Sequence, residues 1–434
     1  MSEISDVEPA VLDPALAPSL RSGERTTILI YCGLLIFGLN MITPASGFQV
    51  IPLSFILKNK LHLSASQLAI FSSVAAIPAY LSFVFGMVRD SWSPFGMGDR
   101  GYLVLFGGGC AAFFALFAFL PVSEPMLLAA VLLTTMTFLF TWSAWNGLGS
   151  VIGQQLAMSG QISALWNVLA SIAIFAATMI GGVYSESLER FDAQTSIRIL
   201  FLSMTASMAA IALLGVWKPN AVYRHLHREE GPRPNMLADL ARLGRHWPIY
   251  PALGAWLLWN FSPGGATVLQ YYMADKLGAT DAQWGEYNAI FYLAFLPTFA
   301  LFGFLSRRYS LSALLWWGTI VAIPQMVPVL FVHTPGALML VAVPMGLMGG
   351  VANAAYMDLL IRSCPKGLEG TMMMMAWSMY AVAVNFGNVL GTSLYEWGGM
   401  FLCIAATTVV YAFILPCIWL VPRELVASTD GATS

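Results

Sequence analysis

Twelve apolar runs of helix-spanning length leave this chain few ways to fold. They lie at residues 26–57, 65–88, 101–121, 126–148, 162–184, 195–217, 248–274, 282–305, 311–332, 337–361, 371–395 and 399–421. A hydrocarbon layer about 30 Å thick needs roughly 20 residues at ~1.5 Å of rise each. Lipid offers no hydrogen bonds to the backbone, so only helices or closed barrels cross it. The runs are too long and too evenly apolar for the alternating strands of about 10 residues that build a barrel. Only 10% of the chain is charged, against about 25% in soluble domains. The expectation is an all-α membrane protein with twelve transmembrane helices.

The longest polar stretch inside the chain, residues 218–246, divides these runs six and six. It carries Lys218, Arg224, Arg228, Arg233, Arg242 and Arg245 against Glu229, Glu230 and Asp239. Residues 26–217 and 247–422 are therefore read as two six-helix bundles joined by a connector. Asn235 can cap a short interfacial helix there, with Leu237, Leu240 and Ala241 on one face. Residues 1–25 and 423–434 read as tails, the first polar, acidic and disordered, with no apolar core for a signal peptide. With both termini cytoplasmic, the outer loops hold only Lys58, Lys60, Arg190, Arg198 and Lys276 of the twenty basic residues. The other fifteen then lie inside, as the positive-inside rule requires. This places the chain in the cell (inner or plasma) membrane, expected as a monomer.

Two features predict that the halves repeat. Gly86 precedes Asp90 by four residues at the end of the second span, and Gly303 precedes Arg307 likewise at the end of the eighth. The first span has Asn40, Thr43, Pro44 and Gly47 near mid-membrane, and the seventh has Asn260, Pro263, Gly264 and Gly265. Helices interrupted at matching places in two halves point to a transporter's binding site.

No residues support catalysis. The five histidines lie in loops or at helix ends, no Gly-rich phosphate loop is present, and the five cysteines have neither metal-ligand nor disulfide spacing. A net charge of −2 without a basic, aromatic-laced patch excludes a nucleic-acid partner. Neither an enzyme nor a cofactor is expected. The spans instead carry neutral polar and aromatic side chains: Asn40, Gln49, Trp145, Asn146, Trp166, Asn167, Asn260, Thr267, Tyr271, Asn353 and Asn385. Asn260, Thr267 and Tyr271 share one helical face at offsets of seven and eleven. Amides in hydrocarbon need partners. Singly, each can bond helix to helix; together, at similar depth in both halves, they read as a polar cavity with aromatic walls. Such a cavity suits a planar or heteroaromatic solute.

Charges near the spans read as gating groups. Asp358 and Arg362 form an i,i+4 pair near one helix end, either a gate or, for the acid, a proton carrier. Asp90 and Arg100 can pair across the turn between helices two and three. Glu369 sits in the first turn of helix eleven, where the positive dipole end favours it.

Two stretches resemble the folate–biopterin transporter family of the major facilitator superfamily. In GMVRDSWSPFGMGDRGY, Gly86, Asp90, Ser91, Pro94, Phe95, Gly96, Arg100 and Tyr102 match, and Gly101 replaces the family's Pro. In CPKGLEGT, residues 364–371, the family's Cys-Pro-x-Gly-x-Glu-Gly-Thr is intact. Before Gly86 the chain keeps Pro78 but has Ala79, Ser82 and Phe83 where the family shows Trp and Lys-Pro, so a cation for an anionic pterin conjugate is missing. The resemblance implies the major facilitator fold, with two pseudo-symmetric bundles and rocker-switch transport of a small organic solute, secondary active or facilitative. A pterin- or folate-like, other heteroaromatic, or amino-acid-like solute fits this reading, with proton or sodium as the open choices of coupling ion. The alternative is a non-transporting assembly or binding factor of the same fold, for a pigment or a partner membrane protein.

Overall fold

The computed structural model describes residues 21–63, 67, 71, 74–224, 236–279, 281–427 and 429. Among these the regular structure is all helical. Single helices form the third to sixth spans, Asp99–Phe117, Glu124–Gln155, Ser159–Leu188 and Ala193–Val216. In the second half, Gln283–Leu305, Leu311–Phe331 and Pro335–Ser363 form the eighth, ninth and tenth. Glu369–Ala412 carries both the eleventh and the start of the twelfth, broken where Gly399 takes φ 65° and ψ −164°. Twelve residues of unbroken helix would span about 18 Å. Cys403 Sγ nonetheless lies 3.3 Å from the Gly391 carbonyl, so the chain doubles back at this glycine.

The predicted first and seventh spans are built from matching pieces. Ser22–Met41 stops, the chain turns through Thr43–Gln49, and Val50–Phe55 runs on into a wide turn at Ile56–Lys60. Ile249–Asn260 stops, and Ala266–Tyr271 runs on into the same kind of turn at Tyr272–Lys276. Each piece ends on a lysine, and a positive-φ residue follows, His62 or Gly278. Each break rests on a glycine of the opposite helix in its own half. A Cβ on Gly181 would come within 2.8 Å of the Phe48 carbonyl, and one on Gly391 within 2.1 Å of the Pro263 carbonyl. The first span thus docks on the fifth as the seventh docks on the eleventh.

The break changes one expectation. Phe261–Gly265 is not helical, so the offsets that would align Asn260 with Thr267 and Tyr271 do not carry across it.

The connector helix is present as Met236–Arg245. Asn235, Arg228, Arg233, the first twenty residues and half of the predicted C-terminal tail fall outside the described residues. The connector defines one face of the molecule, called here the connector face; the opposite one is the far face.

Candidate functional site

The two halves meet most closely at the connector face, and the meeting is built from the Gly86–Tyr102 turn. Phe95, Gly96 and Gly98 all take positive φ, which folds the turn back under the second span. Arg89, 4% exposed, becomes the hub. Its Nε and Nη2 donate to the two Asp99 oxygens at 2.7 and 2.8 Å, and Nη1 donates to Asp90 Oδ1 at 2.6 Å. Glu369 Oε2 stands 3.8 Å from the same Nη1. An unpaired guanidinium would be costly to bury, and a bidentate carboxylate is the geometry that offsets it. The fourth span accommodates the hub only through Gly147, where a Cβ would fall 2.2 Å from Arg89 Cζ.

Asp90 then reaches across to the other half. It accepts from the Gly370 and Thr371 amides at 3.1 and 2.6 Å and from Thr371 Oγ1 at 2.6 Å. These are first-turn amides of the eleventh span, which lack helical acceptors and carry the positive end of the helix dipole. The approach needs Gly86, whose Cβ would lie 2.5 Å from the Gly370 carbonyl. The expected Asp90–Arg100 pair is not what forms. Arg100 donates instead to the Gly215 and Val216 carbonyls at 3.1 and 2.9 Å, at the C-terminus of the sixth span. The reason is local: Arg89 is the nearer cation, and the last carbonyls of a helix attract Arg100. Glu369 is buried in the first helical turn and accepts from the Gly367 amide at 3.0 Å.

The eighth span mirrors the second by packing on the fifth. A Cβ on Gly303 would meet Ala164 at 3.0 Å, and Arg307 Nη2 donates to Gln161 Oε1 at 3.0 Å. The tenth span adds the rest. Gln154 Nε2 donates to the Ile361 and Cys364 carbonyls at 2.7 and 2.8 Å, and Ser163 Oγ to the Ala354 carbonyl at 2.6 Å. Asp358, wholly buried, pairs with Arg362 at 2.9 Å.

Above this layer, toward mid-membrane, lie the predicted amides. Trp259 Nε1 donates to Asn353 Oδ1 at 2.8 Å, and Asn353 Nδ2 to Asn167 Oδ1 at 2.7 Å. Trp377 Nε1 donates to Asn146 Oδ1 at 3.0 Å. The predicted site amides Asn146, Asn167 and Asn353 therefore join the two halves directly. Trp142, Trp145 and Trp166 from the first half pack with Trp377 from the second. Trp145 stacks on Trp166 with centroids 5.7 Å apart, and Trp377 meets Trp142 at 5.5 Å. Asn385 Nδ2 donates to Tyr80 OH at 3.2 Å, again across the halves.

The remaining predicted residues are placed elsewhere. Asn40 and Asn260 each donate to the carbonyl four residues back, Ile36 and Trp256, both at 2.8 Å. Gln49 folds onto the Ile42 and Thr43 carbonyls. These three support the helix breaks rather than the central cluster. Thr267 is half-buried and Tyr271 exposed, both on the far-face side of the seventh span's break. Arg89, Trp377 and Tyr380 were missed as site residues. Arg89 stands beside Asp90 in the motif, and its adjacency was the available signal.

The spans form one architecture: two interrupted-helix bundles clamped at one face, the arrangement of the major facilitator fold. FucP, a major facilitator superfamily transporter in the outward conformation, superposes with a TM-score of 0.68 at 14% identity, covering 92% of this chain and 99% of that one. A bacterial homologue of the iron transporter ferroportin in its outward-facing state gives 0.62 at 14% identity, covering 92% and 99%. The human organic anion transporter MFSD10 gives 0.59 at 15% identity, covering 92% and 100%. The chain is a helical membrane protein with the major facilitator fold. It resembles the BT1 family, which matches residues 44–238. A Synechocystis protein named a folate–biopterin transporter is 22% identical over 390 residues, 85% of this chain and 75% of that one.

Proposed function

We propose that the chain moves a small, planar organic solute across the bilayer by rocker-switch alternating access, and that this structure is the state open at the far face. One observation carries the reading. The polar contacts between the halves crowd toward the connector face, from Asp90 and Gln154 at the helix ends to Asn353 and Trp377 near the middle. Asn385 to Tyr80 is the one nearest the far face among the described residues. A protein clamped at one end and free at the other has one closed gate. The same contacts are few enough to break together, since hydrogen bonds between membrane helices contribute about 0.6–2 kcal/mol each.

With the positive-inside orientation, the connector face and both termini are cytoplasmic and the state is outward-open. The aromatic cluster above the clamp supplies the floor on which a flat solute would rest, with Tyr80, Tyr380 and Asn385 beside it. The name of the Synechocystis relative supports a heteroaromatic solute of the pterin kind. Counterflow into proteoliposomes preloaded with unlabelled solute tests the reading. Labelled heteroaromatic solute should accumulate transiently with the protein present and not in protein-free vesicles. Binding without any counterflow would reject transport and leave an assembly or binding role.

A further inference from the structure

We infer that the solute is uncharged where it binds: the mid-membrane site between the halves takes a neutral planar ring and discriminates against the same ring bearing a carboxylate. The inference rests on the transport reading for the place of binding, and concerns only the chemistry of that place.

Three tyrosines mark the depth. Tyr80 lies eleven residues before the end of Ser82–Ser91, Tyr380 eleven residues after Glu369, and Tyr292 eleven after Asp281. At ~1.5 Å per residue each is about 16 Å from its helix end, close to the middle of a ~30 Å layer. They are 38%, 39% and 55% exposed. Tyr80 accepts from Asn385, Tyr380 packs edge-on against Trp377 at 5.5 Å, and Tyr292 lies within electrostatic reach of Tyr380. Phenol faces, an indole and an amide therefore meet at mid-depth, from the second span of one half and the eleventh of the other, with Tyr292 of the eighth near the same level.

No fixed charge reaches this level. The sequence holds no Asp, Glu, Lys or Arg between Arg25 and Lys58, between Glu124 and Glu186, or between Arg245 and Asp275. On the second span the next charge is Arg89, about 13 Å below Tyr80 and already saturated by Asp90 and Asp99. Asp358 on the tenth is wholly buried against Arg362. On the eleventh, Glu369 belongs to the clamp and Glu396 is about 24 Å beyond Tyr380. On the eighth, Glu286 is exposed, six residues from Tyr292. That is about 9 Å nearer the far face and about 120° round the helix.

A carboxylate brought here would lose its water and gain no cation. The cost of an uncompensated charge at membrane depth corresponds to an affinity loss of at least about fiftyfold. A neutral ring keeps stacking and amide hydrogen bonds and forfeits nothing.

The test uses the full-length protein in detergent and matched ring pairs that differ by one carboxylate: pterin with pterin-6-carboxylate, and nicotinamide with nicotinate. Ligand-induced thermal stabilisation is titrated for each. At least one uncharged ring should reach half-effect at a concentration about fiftyfold or more below its carboxylate partner. Tyr380→Ala should abolish that shift and Glu286→Gln should leave it intact. Equal or tighter binding of the carboxylates would overturn the inference, as would no shift from any uncharged ring, or loss of the shift in Glu286→Gln. Counterflow separates the two readings. Carboxylate exchange would keep transport and reject neutrality, whereas neutral-ring binding without exchange would do the reverse.

Discussion

Asp90→Asn is the most informative single change, because its carboxylate accepts three of the hydrogen bonds that join the halves. Asp90 is 2% exposed at its side chain, so water does not screen what it does. It accepts three hydrogen bonds from Gly370 and Thr371 and one from Arg89. Hydrogen bonds to a charged group contribute about 1.5–3 kcal/mol and neutral ones about 0.5–1.5. Asparagine keeps one acceptor oxygen but turns an NH₂ toward an amide donor, and it gives up the attraction to the helix dipole. The closed clamp should weaken by about 2–3 kcal/mol, which is roughly 30- to 150-fold in the open-to-closed ratio. A reporter is built in. Cys364 is wholly buried in the clamp, and its carbonyl accepts from Gln154. In a background with Cys32, Cys110, Cys403 and Cys417 changed to Ala, a hydrophilic maleimide should label Cys364 tens of times faster in Asp90→Asn. Labelling within twofold of the parent would refute the assignment of Asp90 as a latch.

Further outcomes follow from the same contacts. Gly86→Ala drives a methyl to 2.5 Å from the Gly370 carbonyl and should lower thermal stability by about 1–3 kcal/mol, the usual cost of overpacking. Lys60 and Lys276 are repeat mates with different surroundings. Lys60 Nζ donates to the Leu188 and Phe191 carbonyls and to Ser196 Oγ. Lys60→Met should therefore destabilise by about 1–3 kcal/mol, while exposed Lys276→Met changes stability by less than about 0.5; equal effects in thermal melts would contradict this. Burial and the nearby Arg242 hold His246 below its ordinary pKa of 6.5. Its neutral form is the one accommodated, so its contribution is present above pH 6.5 and is lost as pH falls below that value. Proteolysis near the connector should speed up at pH 5.5 relative to 7.5, and His246→Gln should remove the difference.

The helices were legible because lipid leaves the backbone no other option, and the breaks in the first and seventh spans were legible from Pro and Gly beside an Asn. The site was legible only by residue type. Asn146, Asn167 and Asn353 do sit at one depth, but sequence could not say that Asn353 bonds Asn167 and takes Trp259 of its own half, or that Asn146 takes Trp377 of the other half. Asn40 and Asn260 look like the same signal, yet they bond within their own helices. Side-chain offsets hold only along continuous helix, which is why Thr267 and Tyr271 did not follow Asn260. Arg100 resembled the partner of Asp90 by its place in the motif. The competition that sent it to the carbonyls of the sixth span arises only once that helix end is packed beside it.

The central claim is that the two faces open in turn. Pulsed electron–electron distances in nanodiscs test it with two label pairs on exposed positions: Val183 with Val389 for the far face, and Val216 with Phe304 for the connector face. Introducing Asp90→Asn should populate a shorter far-face distance together with a longer connector-face distance. Distances that stay single at both faces, or that lengthen or shorten together, would contradict the account.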